Sequence, residues 1–197
     1  MRFRLGMSVP REPALRCEGC RQLLDSKGYH RVTCGRTARL HVRHRGWVNA
    51  WRQVFLEAGG QVPKRNVERL LRDTTVTVPA EDLRRLDLVV TGTSLYRGVP
   101  LLCDVFCVSP VTGKDQARSG CISRSGGAVG AASSRCHDDD YPEVNRSGVA
   151  RLCALGVEVF DRWSEDSICI VRALALERCT NLPHRIQRDM QQRLLRR

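Results

Sequence analysis

Arg84-Arg85-Leu86-Asp87-Leu88-Val89-Val90 and Leu101-Leu102-Cys103-Asp104-Val105-Phe106 are two apolar runs, each interrupted by one carboxylate and separated by a Gly-containing stretch over residues 91–100. Runs of this length and composition read as buried strands, and the glycine-containing connection reads as a hairpin that pairs them. A carboxylate inside a buried strand costs several kcal/mol unless it is paired or binds a cation. Asp87 and Asp104 therefore mark a place where the fold tolerates an expensive group. Carboxylates that share a divalent ion are the usual apparatus for phosphodiester hydrolysis. The plainer alternative pairs Asp87 with Arg84 or Arg85 and lets Asp104 cap a neighbouring element.

Toward the N-terminus, Trp47, Val48, Trp51, Val54, Phe55 and Ala58 recur at three- and four-residue steps, so a helix with one buried face is expected, ended by Gly59-Gly60. Trp47 and Trp51 sit at core spacing; Trp163 is a further aromatic able to stack on a base. A second short helix is expected over Asn66 to Arg72 and a short strand over Thr75 to Val78. Toward the C-terminus, Val111 to Gly127 reads as a loop, Ala128 to Arg135 as a helix and Val157 to Phe160 as a strand containing a third carboxylate, Glu158. Ser164 heads a helix with Glu165 and Asp166 in its first turn and Ile168, Val171, Leu174 and Ala175 as its buried stripe. Pro183 opens a final basic helix.

A length of 197 residues with 42% hydrophobic content suits one compact domain, with or without a small appendage, and points away from a multidomain enzyme. With 27% charged residues and no apolar run near the roughly 18–20 residues a bilayer requires, no membrane association is expected. The first ten residues lack an uninterrupted apolar core, so no secretory signal is expected and the ten cysteines are read as thiols, either metal ligands or small core residues. The net charge of +12 is uneven: residues 1–72 carry 16 Lys+Arg against 5 Asp+Glu, whereas residues 73–197 carry 17 against 16. Basic charge concentrated in one segment is the footprint of a polyanion binder. Arg39, Arg43, Arg45 and Arg52, on or near the tryptophan-bearing helix, are the candidate phosphate contacts.

Within that basic segment, Cys17-x2-Cys20-x9-His30-x3-Cys34 offers three thiolates and one imidazole. Two thiols two residues apart can hold one ion from a single tight turn, and zinc suits this donor set. Four protein ligands make a structural site, because a catalytic zinc keeps one position open. In the alternative, His41 or His44 completes the set.

Taken in order, the Cys/His set, Arg43-His44, Arg84-Arg85-Leu86-Asp87-Leu88-Val89-Val90, Pro100-Leu101-Leu102-Cys103-Asp104-Val105 and Tyr141-Pro142-Glu143 resemble a known domain over roughly residues 14 to 178. It is the zinc-knuckle plus restriction-endonuclease-like domain that follows the reverse transcriptase in early-branching, site-specific non-LTR retrotransposons, a branch of the PD-(D/E)XK nuclease superfamily. The resemblance implies an α/β fold, a small mixed sheet flanked by helices, with an N-terminal zinc knuckle. It also implies a Mg²⁺- or Mn²⁺-dependent nuclease that nicks target DNA, here standing apart from the reverse transcriptase. Asp87 resembles the Asp of the PD motif, with Leu86 in place of Pro, Asp104 the second metal-binding acid and Glu68 the upstream acid. The superfamily's lysine has no counterpart: Phe106 stands two residues after Asp104, and His137 is the candidate base on the segment that follows. The organisation expected is a lead-in over 1–13, a zinc knuckle and basic helix over 14–60, the endonuclease-like domain over 61–180 and a basic helix over 181–197. DNA is the expected partner, with RNA as a second polyanion, in an intracellular, nuclear setting. The alternative is a domain of the same ancestry that binds nucleic acid or protein and has lost its chemistry.

Overall fold

The computed structural model describes residues 16–25, 28–37, 39–63, 69–112, 116–118, 120–121, 123–159 and 162–180, with positions 183, 186 and 188. The expected lead-in and nearly all of the expected C-terminal basic helix lie outside these residues. A one-turn helix, α1 (Tyr29–Thr33), precedes the long helix α2 (Arg39–Glu57). As its spacing predicts, α2 buries Val48, Trp51 and Phe55, with Trp47 and Ala58 packed beside them; Val54 stays exposed. Helix α2 ends where the Gly60 N–H reaches back to the Phe55 carbonyl at 2.9 Å.

The expected helix over 66–72 is corrected. Its described part is a two-residue strand, β1 (Arg69–Leu70), running into a 3₁₀ turn (Leu71–Asp73). Pairing dictates this: Arg69 faces Leu86 and Leu70 faces Arg85 of β2 (Arg85–Leu86), and Leu71 is fully buried below. The strand expected over Thr75–Val78 is a series of bends, in which the Thr74 hydroxyl takes the Val76 N–H that a strand would have offered to a neighbour.

The main sheet contains β3 (Leu88–Val90), β4 (Leu101–Val108), β5 (Arg151–Glu158) and β6 (Arg162–Trp163), in that spatial order. Strands β3 and β4 form the expected antiparallel hairpin, with Leu88 opposite Cys103 and Val90 opposite Leu101. Strand β5 runs parallel to β4 along its whole length, from Arg151 beside Leu101 to Glu158 beside Val108. A parallel pair needs a crossover. Here it contains α3 (Gly127–Arg135), a π-helical turn (Cys136–Asp140) and α4 (Pro142–Ser147). After β6, helix α5 (Glu165–Thr180) returns to the other face.

Alternation along the strands builds two cores. Leu101, Cys103 and Val105 join α2 and α5 on one face, and Leu102 and Ala154 join Cys136, Tyr141 and Val144 on the other. Helix α2 therefore shares the core of the sheet. Leu86 and Leu88, two residues apart, lie in opposite cores, so the chain turns over at Asp87. That turn interrupts the single strand expected over 86–90.

Position 106 has a packing explanation. Phe106 is the cross-strand neighbour of Gly156, and its ring lies where a side chain at 156 would stand; an added methyl would also come within 2.8 Å of Val129 Cγ2. Gly156→Ala is expected to destabilise the protein by about 1–3 kcal/mol through overpacking. An unchanged midpoint in a thermal melt would show that the Phe106 ring is free to move.

Candidate metal centre and acidic site

The knuckle begins with a tight turn. The Cys17 N–H bonds to the Gln22 carbonyl and the Arg21 N–H to the Cys17 carbonyl, both at 2.8 Å, placing Cys17 and Cys20 on one loop. Gly19 fits because a Cβ there would stand 2.7 Å from Thr37 Cγ2 and 2.8 Å from the Arg36 carbonyl. Asp25 supplies the other half of the geometry. Its carboxylate accepts the N–H groups of Tyr29 at 3.0 Å and His30 at 2.6 Å, which caps α1 and fixes the His30 backbone. The Cys34 N–H then bonds to the His30 carbonyl at 3.0 Å.

As a result the Sγ atoms of Cys17, Cys20 and Cys34 and a ring nitrogen of His30 all lie within 4.8 Å of one another. A tetrahedron with Zn–S near 2.3 Å and Zn–N near 2.0 Å has edges of about 3.6 Å, so this donor set fits a structural zinc. The Cys17 thiol is held down to about 6, chiefly by the Cys20 backbone N–H, which favours the thiolate a metal requires. His44 is engaged elsewhere, so His30 is the imidazole of this group.

His44 faces the acidic pair. Its Nε2 lies 3.1 Å from Asp87 Oδ2 and 2.9 Å from the Val105 carbonyl, and the Val105 N–H donates to the same Asp87 oxygen at 2.8 Å. The Asp87 carboxylate thus continues the hydrogen-bonding ladder of β4 where the backbone of β3 turns away. The Asp87 hydrogen bond raises the His44 pKa.

Asp87 stands just before β3, its N–H donating to the Cys103 carbonyl at 3.1 Å, so it adjoins Asp104 of β4; its carboxylate turns to His44 of α2, whereas that of Asp104 meets Cys136 in the other core. Asp104 is pushed up to about 6, first by burial and then by the charges of Asp87 and Asp140. Its nearest hydrogen-bond donor is the weak Cys136 thiol at 3.8 Å. Burial and the Asp104 charge raise the Cys136 thiol and the Tyr141 phenol in turn. Glu68, the expected third acid, lies outside the described residues. Among those residues, only the Cys/His set gathers three or more ligands within reach of one ion.

The other singled-out groups have structural partners. Arg84, the alternative partner for Asp87, pairs instead with Asp82 at 2.6 Å and Glu143 at 3.0 Å, tying α4 to the start of β2. His137 Nε2 meets Asp166 Oδ2 at 2.9 Å, and that oxygen also accepts the Ala154 N–H at 2.8 Å. Glu158 accepts the Ala128 and Val129 N–H groups at the start of α3 and lies 3.5 Å from Arg162.

Along α2, Arg45 is exposed, whereas Arg43 and Arg52 are half-buried with Nε atoms that have no hydrogen-bond partner. The side chain of Arg39 lies outside the described residues. Glu57, at the far end, is the helix's one acid. Basic residues near the N-terminus of a helix oppose its dipole, so this end concentrates positive potential immediately after the Cys/His cluster.

Compared with known proteins, the chain matches no family model and none of the curated proteins. The Cys/His cluster was legible in the sequence from spacing alone. The partnership of His44 with Asp87 was missed although it had a signal: His44 continues the buried stripe of Val48, Trp51 and Phe55 one turn earlier. Asp25 had a weaker one, a carboxylate just ahead of a helix start.

Proposed function

We propose that this protein is a zinc-stapled DNA-binding domain of the restriction-endonuclease-like kind, derived from a non-LTR retrotransposon, whose Asp87–Asp104 pair takes Mg²⁺ or Mn²⁺ to nick DNA held against α2. The observation that carries this reading is the nearness of the two acids, the Asp87 N–H lying on the Cys103 carbonyl at 3.1 Å beside Asp104, which is raised to about 6 by burial and by the charges of Asp87 and Asp140. His44 and the Val105 N–H serve Asp87, whereas Asp104 has only the weak Cys136 thiol, and a buried carboxylate held this way is one a divalent cation would neutralise. When bound, such an ion polarises the phosphate and lowers the pKa of water. The chain itself positions Asp87 through His44 and the Val105 N–H, shields Asp104 beneath the π-helical turn, and neutralises the phosphates through Arg43, Arg45 and Arg52. Zinc on Cys17, Cys20, His30 and Cys34 anchors the basic end of α2. A nuclear location follows from a DNA partner.

One observation favours a second reading, a nuclease fold that binds and no longer cuts: Phe106, where the lysine is expected, packs on Gly156, and His137 is paired with Asp166. A single assay separates the two. Supercoiled DNA is incubated with the protein and Mg²⁺ or Mn²⁺, beside Asp87→Ala and Asp104→Ala. Nicking lost in both variants is the expected result. Binding that weakens steeply with salt, without nicking, establishes the second reading. Neither binding nor nicking would sink both.

A further inference from the structure

Two groups that the acidic site does not use meet beside it. His137 Nε2 lies 2.9 Å from Asp166 Oδ2, joining the π-helical turn of the crossover to the first turn of α5, and the same oxygen accepts the Ala154 N–H at 2.8 Å. Ala154 is the β5 residue directly beside Asp104. One residue before His137, the Cys136 thiol covers the Asp104 carboxylate at 3.8 Å. We propose that the His137–Asp166 pair is a pH-sensitive latch that holds this turn shut over Asp104, and that its release opens the carboxylate to solvent and to a divalent cation. The inference rests on the metal reading above and names what regulates that site.

The turn is fastened at both ends, by chemically different ties. At its far end the Asp140 carbonyl accepts Arg84 Nη1 at 2.6 Å, and Arg84 is fixed in turn by Asp82 and Glu143. A guanidinium keeps its charge across the working pH range, so that tie is permanent. At the near end the tie is an imidazole, whose ordinary titration falls in the neutral range. The two latch side chains are 23% and 25% exposed, within reach of solvent protons, while Cys136 beneath them is 1% exposed. The turn itself is of a rare kind, closed by the Tyr141 N–H on the Cys136 carbonyl at 3.0 Å, and single π-helical turns occur mostly at functional sites.

The groups facing His137 favour its charged form. They are Asp166 from α5, Asn145 from α4 and Asp138 within the turn; the Asp166 hydrogen bond does most to raise it above its usual 6.5, against the cost of burial. Asp166 faces Arg151 of β5 as well, and against burial the His137 and Ala154 hydrogen bonds keep it below its usual value. The charged pair is therefore complete from mildly acidic pH to near neutrality and loses its ionic part as pH rises through the folded value of His137. Asp104 is pushed up to about 6 by burial, so the latch loosens only where the carboxylate beneath it is already ionised and able to take a cation.

The test is amide hydrogen exchange of the zinc-loaded full chain, read by mass spectrometry over residues 136–141 and expressed as protection relative to an unstructured peptide at the same pH. Between about pH 6 and about pH 8.5 that protection should fall by about two- to fivefold, the ratio expected of a partly exposed ion pair, while β4 keeps its own. His137→Gln, which retains a hydrogen-bonding group and cannot be charged, should show the low value at both ends of the range, and Asp166→Asn should do the same. A fall shared by β4 would be a general loosening and would overturn the latch, as would protection that ignores pH and both substitutions. Mn²⁺ supplies the second readout, its free ion counted by paramagnetic resonance: at about pH 7, His137→Gln should bind it about two- to fivefold more tightly than the parent. Unchanged affinity with the turn loosened would overturn the gating of the cation. Protection that follows His137 in a protein that binds no Mn²⁺ would overturn the metal reading and leave the latch standing.

Discussion

Cys20→Ser is expected to release the zinc ion and, with it, the order of residues 16–37 and most of the salt-dependent DNA affinity. The reason lies in how little else holds this segment. Among its described residues the only buried ones are Cys17, Gly28 and Cys34, and two of those belong to the Cys/His cluster. A unit without an apolar core folds on its metal: structural zinc contributes about 10–16 kcal/mol of apparent binding free energy in small zinc modules, and that energy is folding energy. Losing one thiolate opens the tetrahedron and leaves Asp25 capping a helix of five residues, too short to persist alone. The sheet is expected to survive, because Val48, Trp51 and Phe55 dock α2 on it independently of the knuckle. Elemental analysis should find about one zinc per chain in the unaltered protein and none in the variant. Far-UV circular dichroism should show one thermal transition retained. A metal-free parent after zinc-replete purification, or a variant that keeps its zinc, would end the claim.

What the sequence made legible followed from patterns with one dominant cause. Ligand spacing located the metal set, period-2 and near-continuous apolar runs located β3 and β4, and the stripe of Trp51 and Phe55 located α2. The failures have physical reasons. Strand β5, Arg-Leu-Cys-Ala-Leu-Gly-Val-Glu, is buried on both faces and so shows no alternation, and its Ala and Gly hide its β character; only its end was read as strand. Of the stripe expected on α5, Leu174 is buried but Ile168 and Val171 are not, because serines dock the helix. Ser164 Oγ donates to the Ala154 carbonyl at 2.7 Å and Ser167 Oγ to the Gly156 carbonyl at 3.3 Å, which turns Ser167, Ile170 and Leu174 inward and leaves Ile168 and Val171 exposed. A polar side chain that satisfies a strand carbonyl is invisible to a search for apolar periodicity. The acidic site was legible as an anomaly, two charges where apolar residues belong, but the group that partners Asp87 was not.

Asp104→Asn is expected to make the protein more stable at neutral pH, by up to about 3 kcal/mol. The folded state holds this carboxyl near 6 against an unfolded value of about 3.9, so above pH 6 folding must keep a buried charge it disfavours. Between about pH 4 and 6 the folded state binds the extra proton, and the stability of the unaltered protein should therefore fall as pH rises through that window. His44 and His137, both raised by carboxylate hydrogen bonds, act in the same direction: their contribution is complete below about 6.5 and fades as pH passes their folded values. Asp166 opposes them at the acid end. Burial raises it, yet the His137 hydrogen bond and the Ala154 N–H leave it lowered, so its contribution is lost below about pH 4. Stability should accordingly peak at mildly acidic pH, and the Asn variant should flatten the alkaline side of that peak. Near pH 7.5 the gain corresponds to roughly 5–10 °C in Tm for a chain of this size. Mg²⁺ bound between Asp87 and Asp104 relieves the same charge, so it should raise the Tm of the unaltered protein and have little effect on Asp104→Asn. A melting series across pH, with and without Mg²⁺, reads both effects together. An Asn variant less stable than its parent at pH 7.5 would show that Asp104 is compensated within the fold, and the case for a cation at this site would fall with it.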